Sequence, residues 1–159
     1  MKKEYWIPAA IAAFLLMWWL IALIIRKRRD RFPYERRALL TENEKALYEV
    51  LAPVAERMGL LLLIKMRLAD IMAVKSTARD YMSAFNRIKA KHTDFLLCDP
   101  DTLDVLVGIE LDDNSHLRQD RIQRDEFVDG AYLACGIPLL HVWNPVTEEE
   151  LMTAICNVL

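Results

Sequence analysis

The chain has 159 residues, of which 54% are hydrophobic, with 21 lysine and arginine residues against 23 aspartate and glutamate residues. This length leaves room for one domain of about 125 residues beside a single long apolar segment, so a second domain is not expected. The three cysteines, Cys98, Cys135 and Cys156, include no C-x-x-C pair, which argues against a zinc ribbon or a disulfide framework; we expect them to be reduced and buried.

The first predicted element is a transmembrane helix over residues 6–25, a run without a charged residue. At about 1.5 Å per residue such a helix spans roughly 30 Å, the thickness of a bilayer's hydrocarbon core. A cleaved signal peptide is the alternative. The run is too long for one, however, and a basic cluster at residues 26–29 stands where a small-residue cleavage site would be.

The basic flank of this helix predicts its orientation. Basic residues are denser after the helix than before it, so the positive-inside rule leaves residues 1–5 outside and places the C-terminal side in the cytoplasm. The chain is thus expected to be a single-pass protein of the inner (cytoplasmic) membrane. The basic linker, residues 26–40, is better explained by contact with anionic lipid headgroups than by nucleic-acid binding.

The charge balance reverses after the linker. From Tyr34 onward there are 14 basic residues against 21 acidic residues. An acidic domain repels a phosphate backbone, so nucleic-acid binding would require a local basic face or a bound metal ion.

The predicted soluble domain, residues 41–159, begins with a helix that ends near Met58. Thr41 and Glu44 have the spacing of a capping box. Glu44 also falls on the apolar stripe of this helix, so two interpretations stay open: it caps the helix only, or it turns toward an acidic strand end.

Strands and one more helix are predicted next. Residues 60–67 form a first strand, and residues 69–75 continue it or cross irregularly. Residues 81–91 form a helix, and residues 94–98 form a second strand. The turn-forming sequence that follows, Asp99-Pro100-Asp101, is short enough to make an antiparallel hairpin with the next strand.

That next strand begins at Asp104 and runs into the acidic segment that ends at His116. Side chains alternate between the two faces of a strand. One face carries Leu106, Gly108, Glu110 and Asp112, and the opposite face carries Val105, Val107, Ile109 and Leu111. An acid in so apolar a strand is costly to bury unless it is hydrogen-bonded, paired or bound to a metal ion. The pattern therefore predicts a divalent-metal site at the strand end, with Asp94 in the same sheet as Glu110.

The chain ends with a helix over residues 117–135, a buried strand over residues 138–143 and a helix over residues 147–158. Arg121 and Arg124 share a stripe of the first of these helices with apolar residues. They either form structural ion pairs or receive a phosphate group.

Several segments of this sequence together resemble a known superfamily: YERRALLTENEKALYEVL, KMRLADIM, KHTDFLLCDPDTL, IELDDNSH and RDEFVDGAYLACGIPLLHVW. They resemble a bacterial domain of unknown function in the restriction-endonuclease-like, or PD-(D/E)XK, superfamily, near the very-short-patch-repair endonucleases. The resemblance implies an α/β fold with a restriction-endonuclease-like core (helix-strand-strand-strand-helix-strand, mixed sheet), here preceded by one transmembrane helix.

The resemblance also implies a site. Asp94 stands at the superfamily's first metal-binding aspartate and Glu110 at the acidic residue of the (D/E)-x-K pair, so these two would hold Mg2+ or Mn2+, with Glu44 contributing from the first helix. The sequence departs from the pattern at Asp112, where the superfamily has a lysine. Asp112 cannot replace the positive charge of that lysine, although its carboxylate can accept a proton or help to hold the metal ion. Lys65 on the first strand or His116 after the turn would supply part of the missing function.

Two functions follow from these expectations. One is a membrane-anchored nuclease that hydrolyses a phosphodiester of DNA or RNA with a metal ion on Asp94 and Glu110. The other is a catalytically inactive module of the same fold that binds nucleic acid or a protein partner at the membrane. The retained carboxylates Asp94 and Glu110 favour the first function. The replacement of the lysine by Asp112 and the excess of acidic residues in the domain favour the second.

Overall fold

The computed structural model describes residues 6–30, 32–112 and 119–159, with side chains left out at residues 29–30 and 119–125. Within this range the helices are α1 (Trp6–Asp30), α2 (Glu42–Arg57), α3 (Leu68–Ile71), α4 (Tyr81–Lys89), α5 (Gln119–Cys135) and α6 (Glu148–Cys156). The strands are β1 (Leu61–Arg67), β2 (His92–Cys98), β3 (Val105–Leu111) and β4 (Leu139–Val142). The chain divides into two units, residues 1–38 and residues 39–159.

The first unit contains α1, which is long and apolar enough to cross a membrane by length and composition. Its large hydrophobic side chains are exposed throughout. The helix does not stop where the apolar run stops, because it continues through the basic cluster as far as Asp30. A signal sequence near an N-terminus meets the same criteria of length and composition, so the helix by itself is weak evidence for a membrane location.

The second unit is built on a four-stranded mixed sheet, the only sheet in the described part of the chain, with strand order β1-β2-β3-β4. The β1/β2 and β2/β3 pairs are antiparallel, and the β3/β4 pair is parallel, with α5 in the connection. The predicted hairpin and the predicted mixed α/β class are confirmed. Because of these directions, the ends of β1, β3 and β4 and the start of β2 lie at the same end of the sheet.

Helices cover both faces of this sheet. On one face the buried side chains of α2 and α6 pack against Phe95, Val107 and Ile109. On the other face the core is formed by residues of α3, α4 and α5 against β2, with Leu68, Leu96 and Tyr132 fully buried or nearly so. The domain is therefore a three-layer α/β/α arrangement.

The predicted alternation along β3 is correct from Val107 onward and wrong at its start. Leu97 pairs with Val107, but Cys98 pairs with Val105, so Leu106 is the extra residue of a β-bulge in β3. Such a bulge reverses the side-chain alternation. As a result Val105 packs against the α5 side of the sheet and Leu106 against the α2 side, opposite to the prediction.

Two other predictions need correction. Of the two interpretations of residues 69–75, continuation of the first strand is wrong, because α3 begins directly after Arg67 and Leu68 is fully buried against the α4 and α5 layer. After α3, residues 72–75 cross without regular structure, as the second interpretation has it. Of the three cysteines only Cys98 is buried, whereas Cys135 and Cys156 are exposed on helices.

Candidate functional site

A charged cluster lies where α2, β1 and β2 meet at one end of the sheet. Its centre is Lys65, whose ammonium nitrogen Nζ lies 2.6 Å from Glu44 Oε1 and 2.6 Å from Asp94 Oδ1. All three side chains are partly buried, with 25% of Lys65 and 15% of each carboxylate side chain exposed. One lysine therefore joins two carboxylates that come from different elements. We call these three residues the Lys65 cluster.

Glu44 serves both purposes that the sequence left open. Its Oε2 accepts a hydrogen bond from the backbone N–H of Thr41 at 2.8 Å, and the Thr41 hydroxyl accepts one from Glu44 N at 3.3 Å, which completes the capping box. Its second oxygen, Oε1, accepts from Lys65. Burial alone would raise the pKa of Glu44, but the Lys65 hydrogen bond and charge, with the Thr41 N–H, hold that pKa below its ordinary value.

Lys65 reaches both carboxylates from an unusual backbone conformation. Its φ is 54°, in the left-handed region that side chains other than glycine rarely adopt. Its neighbours Ile64 and Met66 keep their pairing with Phe95 and Thr93, so the departure is confined to one residue. A left-handed residue of this kind costs about 1–2 kcal/mol. The two ion pairs of the Lys65 ammonium offset this cost.

The lysine is held in its charged form. Burial favours the neutral amine and lowers the pKa of Lys65, but the hydrogen bonds and charges of Asp94 and Glu44 outweigh burial and raise that pKa. At neutral pH the cluster thus contains a fixed positive charge.

Asp94 joins the Lys65 cluster to the third strand. The regular pairing of β2 with β3 is recorded as far as Phe95 opposite Ile109. One residue beyond, Asp94 Oδ2 accepts a hydrogen bond from the backbone N–H of Leu111 at 3.1 Å. The Asp94 carboxylate thus accepts a hydrogen bond that a backbone carbonyl accepts in a regular ladder. Its donor, Leu111, is the residue directly after Glu110.

A second cluster lies at the ends of β3 and β4. The imidazole Nδ1 of His141 is 3.0 Å from Asp112 Oδ2, and its Nε2 is 3.1 Å from Asp129 Oδ1 on α5. Ionised carboxylates only accept hydrogen bonds, so both contacts are hydrogen bonds at once only if the imidazole carries two protons. Burial lowers the pKa of His141, but the hydrogen bonds and charges of Asp112 and Asp129 outweigh it and raise the pKa above its ordinary value.

Glu110 lies between these clusters in the sheet, as the Cα partner of His141. It is close enough to Tyr132 of α5 for its charge to add to the effect of burial, and together they raise the pKa of that phenol. The Tyr132 hydroxyl makes a short hydrogen bond with the Thr93 hydroxyl.

Gly108 leaves the space for the Tyr132 ring. A Cβ atom at Gly108 would lie 2.6 Å from that ring. Glycine is therefore needed here for close approach of a helix to the sheet, whereas its conformational freedom is not used.

Carboxylates are the ligand type that a magnesium ion prefers, and both oxygens of Asp94 already accept a hydrogen bond, from Lys65 Nζ and from Leu111 N, with a second lone pair left on each oxygen. Mg2+ prefers oxygen ligands and is usually held by one or two carboxylates, with water and substrate phosphate oxygens completing the shell. In the described residues no group of three histidine, cysteine or acidic side chains is arranged to hold a metal ion by itself. A site of one or two carboxylates, as expected for Asp94 and Glu110, does not require such a group.

The structure brings together most of the predicted site residues that it describes. Glu44, Lys65 and Asp94 are in direct contact, and Asp94 is bonded to the backbone next to Glu110. Asp112 contacts His141 instead of the Lys65 cluster. His116 lies outside the described residues. The other two predicted residues, Arg121 and Arg124, lie in the part of α5 whose side chains are not described.

Sequence reasoning missed His141, Asp129 and the hydrogen bond between Tyr132 and Thr93. A histidine inside a predicted buried strand was a usable signal, because a buried imidazole needs polar partners. Asp129 offered no such signal, since an acidic residue on a surface helix is usually solvated.

These features define a mixed α/β domain with a charged sheet end, in a chain that also carries a long apolar N-terminal helix. Residues 36–158 match the family model described as "Protein of unknown function (DUF2726)", and the chain belongs to that family. No curated protein and no solved structure shows significant similarity to this chain.

Proposed function

We propose that the protein is a membrane-anchored, metal-dependent hydrolase of nucleic-acid phosphodiesters, with its restriction-endonuclease-like domain on the cytoplasmic face. The observation that carries the proposal is the position of the Lys65 ammonium, 2.6 Å from both Glu44 and Asp94 at the sheet end. This chain has Asp112 where the superfamily pattern has a lysine. Lys65 brings a positive charge to the same end of the sheet from a different strand.

Each residue has a separate role in this proposal. Asp94 and Glu110 would hold Mg2+ or Mn2+, and the bound ion would polarise the phosphate and lower the pKa of a water molecule. Lys65 steadies the negative charge that develops on the phosphate oxygens, and Glu44 positions Lys65. Asp112, whose orientation is fixed by His141, accepts the proton of the attacking water. The new bond joins the water oxygen to phosphorus as the bond between phosphorus and the leaving oxygen breaks, and the leaving oxygen takes up a proton from solvent water.

The second candidate, a catalytically inactive binding module, is favoured by a specific feature of the same cluster. The Lys65 ammonium already neutralises part of the charge of Glu44 and Asp94 without a metal ion. The lysine reduces the repulsion between the two carboxylates, so the cluster depends less on a metal ion for stability, and this suits a domain that has kept its fold without the reaction.

Thermal melts of the full chain in nonionic detergent, with and without millimolar Mn2+ or Mg2+, separate the two candidates. A metal ion that binds only the folded form stabilises it by about 2.7 kcal/mol at a hundredfold excess over Kd. The wild type should therefore melt higher with metal, and Asp94→Asn and Glu110→Gln should lose this shift. Asp101→Asn is the matched control, because Asp101 is an exposed carboxylate in the turn between β2 and β3, at the other end of the sheet.

Incubation of the same proteins with end-labelled single- and double-stranded DNA and RNA then tests turnover. Metal-dependent cleavage by the wild type and by Asp101→Asn, but not by Asp94→Asn, supports the hydrolase. A folded wild type without a metal-dependent shift at millimolar Mn2+ rules the hydrolase out in favour of the binding module.

A further inference from the structure

The segment that connects β1 to β2 has a charge opposite to that of the rest of its domain. Residues 65–92 contain seven lysine and arginine residues and two aspartates, while the domain from Tyr34 onward has 14 basic residues against 21 acidic residues. Nearly all of this segment's charge lies in α3, α4 and the loops beside them. We call residues 67–92, together with Phe127 of α5, the basic face.

Neither aspartate of this segment neutralises the outer basic residues. Asp70 is bonded to Arg67, with distances of 2.9 Å to Nε and 2.8 Å to Nη2. Asp80 caps α4 by accepting a hydrogen bond from Ser83 N at 2.9 Å. In the described part of the chain no acidic side chain forms an ion pair with the exposed basic residues Lys75, Arg79, Arg87 and Lys89. Among the described residues these four side chains therefore present charge to solvent without an acidic partner, and Glu126 is the acidic residue that lines the groove beside Arg87.

Aromatic rings lie among these charges. The Arg87 guanidinium carbon is 3.9 Å from the centroid of the Phe127 ring, and Lys91 Nζ is 5.5 Å from it. Arg87 and Phe127, with Glu126, Gly130 and Ala131, line an open groove of about 430 Å³ between α4 and α5. This volume is within the range of small-ligand pockets, roughly 300–1,000 Å³. Arg87 covers one face of the Phe127 ring, and the ring holds the guanidinium plane beside the groove, where a base can stack on it while the neighbouring cations contact the phosphates.

A second pair of rings continues the face along α4. The rings of Tyr81 and Phe85 are stacked, with centroids 6.4 Å apart and planes 9° apart, and 48% of Tyr81 is exposed. Leu68 and Ile88 of the segment are buried in the core, whereas Met82 of α4 is 60% exposed. The exposed large apolar side chains of the segment are thus Tyr81 and Met82, and so small an apolar area favours nucleic acid over insertion into a lipid surface.

The basic face also borders the Lys65 cluster. Arg67 pairs with His92 at the last recorded position of the β1/β2 ladder, two residues from Lys65 and two residues from Asp94. The connecting segment therefore leaves and re-enters the sheet at the end that carries the cluster. A strand bound on the basic face would have its backbone next to the proposed reaction site.

We propose that the basic face binds single-stranded nucleic acid, with phosphates on Lys75, Arg79 and Lys89 and a base stacked on the Arg87 guanidinium, which lies on the Phe127 ring. This inference rests on the proposed function for its substrate class, but it concerns binding and not cleavage. It also answers the objection that an acidic domain repels a phosphate backbone, because the segment supplies the local basic face that such binding requires.

Fluorescence anisotropy of a labelled oligothymidylate, with the full chain in nonionic detergent and EDTA, tests the proposal. Metal-free conditions prevent turnover, so binding is measured separately from hydrolysis. The wild type should bind, and the logarithm of its affinity should fall linearly with the logarithm of the salt concentration. The double variant Arg87→Glu with Lys89→Glu should bind at least tenfold more weakly, with a shallower salt dependence. Lys45→Glu is the matched control, because it reverses an exposed charge on α2 outside the basic face and should bind like the wild type.

Phe127→Leu tests the stacking part. It keeps an apolar side chain in the packing but removes the aromatic face that holds the Arg87 guanidinium, so affinity should fall about fivefold or more with the salt dependence unchanged. Circular dichroism melts of both variants verify that they are folded.

The outcomes distinguish this inference from the proposed function. Binding by Asp94→Asn that equals the wild type, together with loss in the basic-face variants, supports the inference even if no cleavage is observed. Wild-type binding by the folded Arg87→Glu, Lys89→Glu variant overturns it, even if cleavage is observed. Binding to vesicles of anionic lipid without binding to the oligonucleotide also overturns it.

Discussion

At the scale of single residues, the domain depends on side chains whose partners come from other elements. Lys65 adopts a left-handed backbone conformation and is stabilised by carboxylates of α2 and β2. Gly108 is needed because the ring of Tyr132 occupies the space of a Cβ atom. His141 contacts one aspartate of the sheet and one of α5. Each of these residues is explained only by a neighbour that is distant in sequence.

The His141 contacts predict a pH dependence of stability. Because the folded-state pKa of His141 is raised above its ordinary value, about 6.5, the stabilisation is fully present below about pH 6.5 and is lost as pH rises through the folded pKa. Urea unfolding of the wild type between pH 6 and pH 8.5 should show this decrease, and His141→Gln should lack it. His92→Gln, at an exposed histidine, is the control and should behave as the wild type. A wild type whose stability does not change across this range would contradict the assignment.

A substitution at Ile109 tests how much the core on the α2 side contributes to the free energy of unfolding. It is fully buried between the sheet and α2, as the sequence predicted. Ile109→Ala should lower the free energy of unfolding by about 2–5 kcal/mol through lost burial and a cavity. Leu133→Ala, at an α5 residue with 82% exposure, should change it by less than about 0.5 kcal/mol. Equal urea midpoints for wild type and Ile109→Ala would be inconsistent with this core.

At the scale of elements, the two capping boxes show how one local motif acquires a second role. Thr41 with Glu44 and Thr147 with Glu150 form the same reciprocal hydrogen bonds at the starts of α2 and α6. Only Glu44 also binds Lys65, because α2 begins beside the end of β1. The start of α2 is therefore part of the candidate site, whereas the start of α6 has a capping role.

A comparison of the two glutamates tests this difference. Glutamine can replace glutamate in a capping box, so Glu44→Gln keeps the cap but removes the charge that faces Lys65. We expect this change to lower the free energy of unfolding by roughly 0.5–1 kcal/mol, because the amide oxygen still accepts from Lys65 but the charge–charge attraction of the ion pair is lost. Glu150→Gln should leave stability close to that of the wild type. Equal effects of the two changes would show that the contact with Lys65 contributes no stability.

At the scale of the whole molecule, an acidic domain follows an apolar helix and a basic linker. The helix α1 is long and apolar enough to cross a membrane, and its basic end continues the helix to Asp30. If the chain is anchored as proposed, the proposed nucleic-acid chemistry is confined to the membrane surface.

The charge asymmetry around the helix predicts which side of the membrane the domain occupies. The denser basic flank follows the helix, so the domain should be cytoplasmic. A C-terminal fusion to alkaline phosphatase, which is active only outside the cytoplasm, should show low activity, and the reciprocal fusion to green fluorescent protein should fluoresce. High phosphatase activity would show the opposite orientation.

The sequence by itself determined most of the elements and one face of the sheet. Local signals were sufficient for these: the capping box at Thr41, the turn at Asp99 and the buried alternation at Val107 and Ile109. It did not predict the bulge at Leu106, because a bulge depends on the register that the partner strand allows. It did not predict α3 either, since a four-residue helix has almost no periodicity.

The candidate site was predicted only in part. The sequence singled out Asp94, Glu110 and Glu44 and named Lys65 as one of two residues that could replace a missing lysine. Only the tertiary structure showed that one ammonium group contacts both Glu44 and Asp94, and that Asp112 is bonded to His141. The physical reason is that a charged side chain acquires its role from the partner that it meets, and these partners are 21 to 29 residues apart in the sequence.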